Sequence, residues 1–181
     1  MAMIAPDKFR QRALRAYEWG RLRHAAVKAW PALLLTAISW WLCHEPGLSF
    51  VIGGSLFALA TSLLWYGRVA ARAANAGMKA GMVAFAVPVL AFHSYFAPYC
   101  STLTAILLIN GGCGLGVGVL LSIESAPLQI QRNVFLLFAS VVASISGMLG
   151  CILFGSTGLA GMAAGVVLAT APVAIYRHAH A

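Results

Sequence analysis

Six long apolar stretches alternate with short polar connections along the chain, after a polar segment at residues 1–30. A helix needs about 20 apolar residues to cross the hydrocarbon core of a bilayer, and most of the stretches approach that length. The pattern predicts an all-α, polytopic membrane protein whose residues 31–176 form a compact bundle of six transmembrane helices. Because the linkers are brief, consecutive spans are expected to pack as antiparallel hairpins. The predicted spans are residues 31–46, 48–66, 80–98, 102–122, 133–154 and 157–176.

Composition supports the same class of protein. Of the 181 residues, 61% are hydrophobic and only 9% are charged, whereas about 25% charged residues is usual in soluble globular domains. A single small soluble domain has no core large enough to bury so much apolar sequence. The composition therefore excludes a soluble fold.

The distribution of basic residues predicts the orientation of the bundle. The chain has twelve Lys and Arg residues. All of them fall in the N-terminal segment, in two predicted inner loops at 67–79 and 123–132, or in the tail at 177–181. The other loops, around 44–47, 94–100 and 154–158, contain none. By the positive-inside rule, both termini are expected on the cytoplasmic side of a plasma (inner) membrane.

The N-terminal segment, residues 1–30, is predicted to form a basic amphipathic helix that Asp7 caps. Its arginines are interleaved with aromatic residues, a composition typical of helices at anionic membrane surfaces. Docking of a cytoplasmic partner protein is the alternative role, and no nucleic-acid-reading motif is present. The candidate binding residues are Arg10, Arg12, Arg15, Tyr17, Trp19, Arg21 and Arg23.

Small residues recur every four positions along several spans, most densely in the glycines between residues 112 and 118. Small-xxx-small spacing lets a neighbouring helix backbone approach closely. The pattern predicts tight helix–helix contacts, and glycine faces left over within one chain are available for a homodimer. The candidate packing residues are Gly54, Ala58, Gly112, Gly114, Gly116, Gly118, Gly147, Gly161 and Gly165.

Thiol, imidazole and carboxylate groups fall at the predicted outer ends of the first and third spans. They are Cys43, His44, Glu45, His93 and Cys100. If these ends are neighbours, the set suits zinc or copper, or the two thiols can form a disulfide in an oxidising compartment. The third reading is that the cysteines pack as small apolar residues, with the others solvated. Cys113 and Cys151 are expected to be packing residues.

Groups that carry catalysis or coupled transport are nearly absent from the spans. No carboxylate lies near the expected midplane, and Asn110 is the main polar side chain at mid-depth. Proton- and ion-coupled transporters use intramembrane ionisable residues, so their absence argues against secondary transport. No nucleophile or metal motif of a known enzyme class occurs. The sequence therefore predicts a protein that is not an enzyme and has no resident cofactor other than the zinc or copper considered above.

The basic segment RAYEWGRLRHA before six spans, the cysteine that opens PYCSTL, and the scarcity of embedded charge resemble the six-helix integral-membrane anti-sigma regulators of the NrsF-like group. The resemblance covers the overall plan of the chain. It implies that residues 7–28 hold a sigma factor at the membrane, where a basic segment suits an acidic partner surface.

Three functions are thus open at the level of sequence. The first is a regulator whose N-terminal helix docks a cytoplasmic partner, with the outer cysteine and histidine group sensing redox state or metal. The second is a small channel or carrier for a neutral or metal solute. The third is a subunit that only packs within a larger membrane complex.

Overall fold

A computed structural model of the chain describes residues 6–42, 46–93, 103–128, 131–152 and 155–178. These residues are almost entirely helical and include no β-strand, which confirms the all-α prediction. The helices are α1 (Pro6–Lys28), α2 (Trp30–Leu42), α3 (Pro46–Tyr66), α4 (Arg68–His93), α5 (Leu103–Glu124), α6 (Arg132–Cys151) and α7 (Gly155–His178).

Five helical stretches are long and apolar enough to cross a membrane, which indicates a multi-pass membrane protein. In α7, the apolar stretch found among the described residues, Ala160–Ala171, is shorter. The five are Phe9–Leu42, Gly47–Tyr66, Arg68–Ala91, Leu103–Glu124 and Arg132–Cys151.

Helix α2 continues α1 with only one residue between them. The Ala29 amide donates to the carbonyls of Ala25 and Ala26, at 3.0 and 3.2 Å, and the Ala32 amide donates to Ala29 at 3.0 Å. The last bond has the tighter i→i+3 spacing, because Pro31 has no amide hydrogen and forces a local adjustment. The basic segment is therefore a helical extension of the first span.

The prediction that residues 67–79 form a loop is wrong, because residues 68–79 are helical. The chain reverses at Gly67 and Arg68, which have φ of 73° and 52°. Glycine suits the left-handed position that ends a helix. Beyond it, the alanine-rich sequence VAARAANAG favours helix strongly, and the charges that lower its hydropathy do not interrupt it.

The most extensive packing joins alternate helices, α4 with α6 and α5 with α7, whereas brief linkers had predicted packing between consecutive helices. Contacts in the first pair advance together along both helices, since Gly77 faces Ala139 and Gly81 faces Ser146. The α4–α6 pair is thus parallel. Helices α2 and α3, by contrast, pack as consecutive neighbours.

Glycines also bring α5 and α7 close together, and this second pair is parallel too. A Cβ added at Gly114 would lie 2.5 Å from the Met162 carbonyl oxygen and 2.9 Å from the Val166 nitrogen. One turn earlier, Gly111 faces Gly161 and Gly165. Backbones this close are the geometry that small-xxx-small spacing predicts.

The predicted packing residues divide into two groups in the structure. Gly114, Gly118, Gly147, Gly161 and Gly165 each lie against another helix. A Cβ added at Gly54, Gly112 or Gly116 would meet nothing within 4 Å, and Ala58 is exposed. The second group therefore takes no part in helix packing within the described part of a single chain.

Polar side chains join three helices near the C-terminal end of α2. The Ser39 hydroxyl donates to the Leu149 carbonyl of α6 at 3.0 Å, and its oxygen lies 3.2 Å from the Ser49 hydroxyl of α3. Both serines are buried. In an apolar environment such bonds satisfy groups that are costly to leave unpaired, so they fix α2 and α3 against the α4–α6 pair.

Candidate partner-binding segment on the N-terminal helix

Residues 9–20 of α1 are all exposed. The aromatic side chains are as open as the arginines, with 64% of Tyr17 and 70% of Trp19 accessible. Contact with the bundle begins beyond them, where Leu22 is half-buried and Ala25 is buried. Residues 9–20 therefore form an exposed helical segment on the N-terminal side of the part of α1 that packs against the bundle.

A charged hydrogen bond holds α1 to the end of α3. The Arg21 guanidinium donates to the Trp65 carbonyl at 2.5 Å and also lies over the Tyr17 ring, 5.8 Å from its centroid. Trp65 is the penultimate residue of α3. The carbonyls in the last turn of a helix have no intrahelical partner. Arginine supplies the missing donor, and its charge also suits the negative end of the helix dipole.

A groove of about 560 Å³ lies between α1 and Trp65. Trp19 and Leu22 of α1 provide its apolar wall, and Arg15 and Glu18 provide its charges. Tyr17 lies roughly 200° away from Trp19 around the helix, at about 100° per residue. Aromatic side chains thus occupy two faces of α1, one towards the groove and one towards solvent.

The predicted binding residues lie together on α1, and each of them is exposed. They are Arg10, Arg12, Arg15, Tyr17, Trp19, Arg21 and Arg23. Sequence reasoning missed Trp65, because it lies far from α1 in the sequence, near the end of α3. The spacing of Trp19 and Leu22 at i and i+3 was the available signal that this face of α1 meets another element.

The outer candidate site lies largely outside the described residues. Cys43, His44, Glu45 and Cys100 are among the residues the structure does not describe, and His93 is the last residue of α4. Within the described residues, no group of three or more His, Cys, Asp or Glu side chains is placed to hold a metal ion. Zinc, copper and a disulfide at the outer face stay predictions.

Asn110, the polar residue expected at mid-depth, makes a buried pair that the sequence did not predict. The Cys151 thiol of α6 donates to the Asn110 Oδ1 of α5 at 2.9 Å, and the Asn110 Nδ2 donates to the Ile106 carbonyl at 2.8 Å. Both side chains are buried. Cys113 is half-buried, and neither it nor Cys151 forms a disulfide. The pair links α5 to α6 with its hydrogen-bonding groups already engaged.

Comparison with known proteins assigns no family to the chain, since no protein-family model, curated protein or solved structure matches it. The similarity to anti-sigma regulators therefore stays a prediction. Any functional assignment rests on the geometry of α1 and of the bundle.

Proposed function

We propose that this protein is a non-enzymatic membrane regulator that binds a cytoplasmic protein through α1. The observation that carries the proposal is the exposed basic and aromatic segment at residues 9–20, held to the bundle at Trp65. By the resemblance of its overall plan, the partner is of the sigma-factor class.

Charge supports an acidic partner surface. Arg10, Arg12 and Arg15 lie on the exposed segment, where Glu18 is the only carboxylate. Complementary charge accelerates encounter and fixes the register of a complex. The exposed Tyr17 and Trp19 add the aromatic contacts that carry much of the binding energy at protein interfaces.

The attachment of α1 supports a role in holding a partner at the membrane. The helix continues into α2 with hydrogen bonds across the junction, and Arg21 fixes its flank to α3. A partner bound to residues 9–20 is consequently positioned relative to the bundle. A flexible tether would supply proximity without orientation.

The carrier function has less support from the geometry. Glycines bring the helix backbones of the α4–α6 and α5–α7 pairs into direct contact, and the amide of Asn110 is already hydrogen-bonded. A solute path needs polar groups free to bind the solute. The described part of the bundle therefore favours a scaffold.

The proposal requires the N-terminus to be cytoplasmic, and we further propose that α7 crosses the membrane as a sixth span. In a Cys43→Ser, Cys100→Ser background, a cysteine replacing Ala126 is expected to resist a membrane-impermeant maleimide in intact cells and to react in inverted vesicles. Both Ala126 and the control position Gly47 are exposed. A cysteine replacing Gly47 should react in the opposite order. Labelling of the Ala126 position in intact cells would contradict the orientation.

Removal of the α1 arginines tests the partner itself. Changing Arg10, Arg12 and Arg15 to Gln is expected to weaken capture of an acidic cytoplasmic protein by at least about tenfold, since charge-assisted contacts contribute about 1.5–3 kcal/mol each. Capture is measured by quantitative mass spectrometry on protein reconstituted in uncharged nanodiscs, which removes attraction between α1 and anionic lipid. The matched control changes the same three residues to Lys and should retain the partner at low salt. Equal capture by the Gln and wild-type proteins would contradict the proposal.

A further inference from the structure

A second cavity, of about 320 Å³, lies between α4 and the connection from α5 to α6. One wall is a single face of α4 that carries Arg72, Asn75 and Lys79 at i, i+3 and i+7. Glu124 stands at the end of α5, and Leu128 and Phe135 supply an apolar wall. The volume is at the lower end of the ~300–1,000 Å³ that is usual for small-ligand sites.

Hydrogen bonds fix the cavity wall that is formed by the connection from α5 to α6. The Arg132 Nε donates to the Ser125 hydroxyl oxygen at 3.0 Å, and the Ser125 hydroxyl donates to the Ser122 carbonyl at 2.8 Å. Ser125 directly follows Glu124, so these bonds fix the chain next to that lining residue. The wall that carries Glu124 and Leu128 is thus held in place without a ligand.

Positive charge exceeds negative charge around the cavity. Its lining has two cations, Arg72 and Lys79, and one carboxylate, Glu124, and Asn75 adds neutral amide donors. A smaller cavity of about 180 Å³ shares Asn75 and Lys79 and brings in Lys28 as a further cation. Lys79 therefore lines both cavities, together with Arg72 in the first and Lys28 in the second.

Lys79 also lies within Arg68–Ala91, a helical stretch apolar enough to cross a membrane. A lysine in such a helix is costly unless its ammonium group reaches water or an anionic partner. The planar guanidinium of Arg72 can bind two oxygens of a phosphate at once, and Lys79 contributes a point charge. Because both cations lie on one helix face, they can bind the same phosphate group.

We propose that this cavity binds a phosphate group that carries a hydroxyl or ammonium substituent. Arg72, Lys79 and Asn75 bind the phosphate oxygens, and the Glu124 carboxylate accepts a hydrogen bond from the substituent. Leu128 and Phe135 cover its carbon atoms. A lipid headgroup and a soluble phosphate ester share this chemistry, and the experiment separates the two.

The test measures binding by the purified full-length protein, with native mass spectrometry for lipid and equilibrium dialysis for the soluble ester. The probes are palmitoyl-oleoyl phosphatidylglycerol, the corresponding diacylglycerol without phosphate, and sn-glycerol 3-phosphate. Arg72→Gln and Lys79→Gln are each expected to weaken phosphatidylglycerol binding about tenfold, the loss of one charge-assisted contact. Arg68→Gln, which removes the same charge from an exposed position of α4 outside the cavity lining, should bind as the wild type does.

Each outcome of the competition has one meaning. Selective binding of phosphatidylglycerol over diacylglycerol, without displacement by glycerol 3-phosphate, supports a lipid headgroup. Binding of glycerol 3-phosphate that is lost in Arg72→Gln and Lys79→Gln supports a soluble ester. The proposal is overturned if neither phosphate probe binds the wild type, or if Arg68→Gln weakens binding as much as Lys79→Gln does.

A second measurement needs no charge-removing variant, so misfolding of such a variant cannot explain its result. The bound phosphate should protect the Lys79 ammonium group from acetylation several-fold, as quantified by peptide mass spectrometry, while Lys28 gains less protection. Lys79→Arg should retain binding because it keeps the cation. Acetylation of Lys79 at the same rate with and without saturating phosphate probe would contradict the proposed site.

Discussion

Replacing Gly114 with alanine is expected to destabilise the bundle by roughly 1–3 kcal/mol, the usual cost of forcing an extra carbon into a packed interior. The added Cβ would lie 2.5 Å from the Met162 carbonyl oxygen and 3.0 Å from the Gly165 Cα. Both neighbours belong to the backbone of α7, so relief requires the two helices to separate. Separation would cost contacts along the whole α5–α7 pair.

Gly116 offers a matched control two residues further along the same helix. A Cβ added there meets nothing within 4 Å, so Gly116→Ala should change the free energy of unfolding by less than about 1 kcal/mol. Unfolding in mixed detergent micelles, followed by tryptophan fluorescence, measures both variants. Equal destabilisation by the two substitutions would contradict the assignment of Gly114 to the α5–α7 contact.

Replacing Asn110 with alanine is expected to have the second largest effect, a loss of roughly 2 kcal/mol. The substitution removes two hydrogen bonds and leaves the buried Cys151 thiol without its acceptor. It also opens a small cavity between α5 and α6, which adds to the cost. Thermal unfolding in detergent should show a lower midpoint for Asn110→Ala than for the wild type.

A double-mutant cycle isolates the Asn110–Cys151 interaction. If the two side chains are coupled, Asn110→Ala and Cys151→Ala together should cost less than the sum of the single changes, by about 0.5–1 kcal/mol or more. Cys151→Ser is the conservative control, because a hydroxyl can still donate to the Asn110 Oδ1. Strict additivity would show that the hydrogen bond at 2.9 Å contributes nothing to stability.

The sequence predicts the helices well and their partners poorly. Apolar length and small-residue spacing are local properties of a helix, so the spans and the candidate packing faces could be located from them. Gly112 and Gly116 have the same spacing as Gly114 and Gly118, yet only the second pair meets α7. The two faces differ by about 200° around the helix, and only the surrounding helices decide which of them is covered.

The cavity next to α4 was beyond sequence reasoning for a different reason. Arg72 and Lys79 lowered the hydropathy of residues 67–79, which was therefore interpreted as a loop. In a loop the two side chains have no defined relation, whereas in the observed helix they share one face seven residues apart. The alanine content of the stretch favours helix independently of its charge, and that was the signal with more weight.

The pairing of alternate helices constrains the order in which the protein can be made. Helices leave the ribosome in chain order, so α4 and α5 enter the bilayer before either of their main partners has been synthesised. The glycine surface of α5 faces lipid or a chaperone until α7 has been synthesised. Chains that stop before Gly155 would therefore insert most of their helices and still lack the contact that closes the bundle. Such products are expected to be substrates for membrane quality-control proteases.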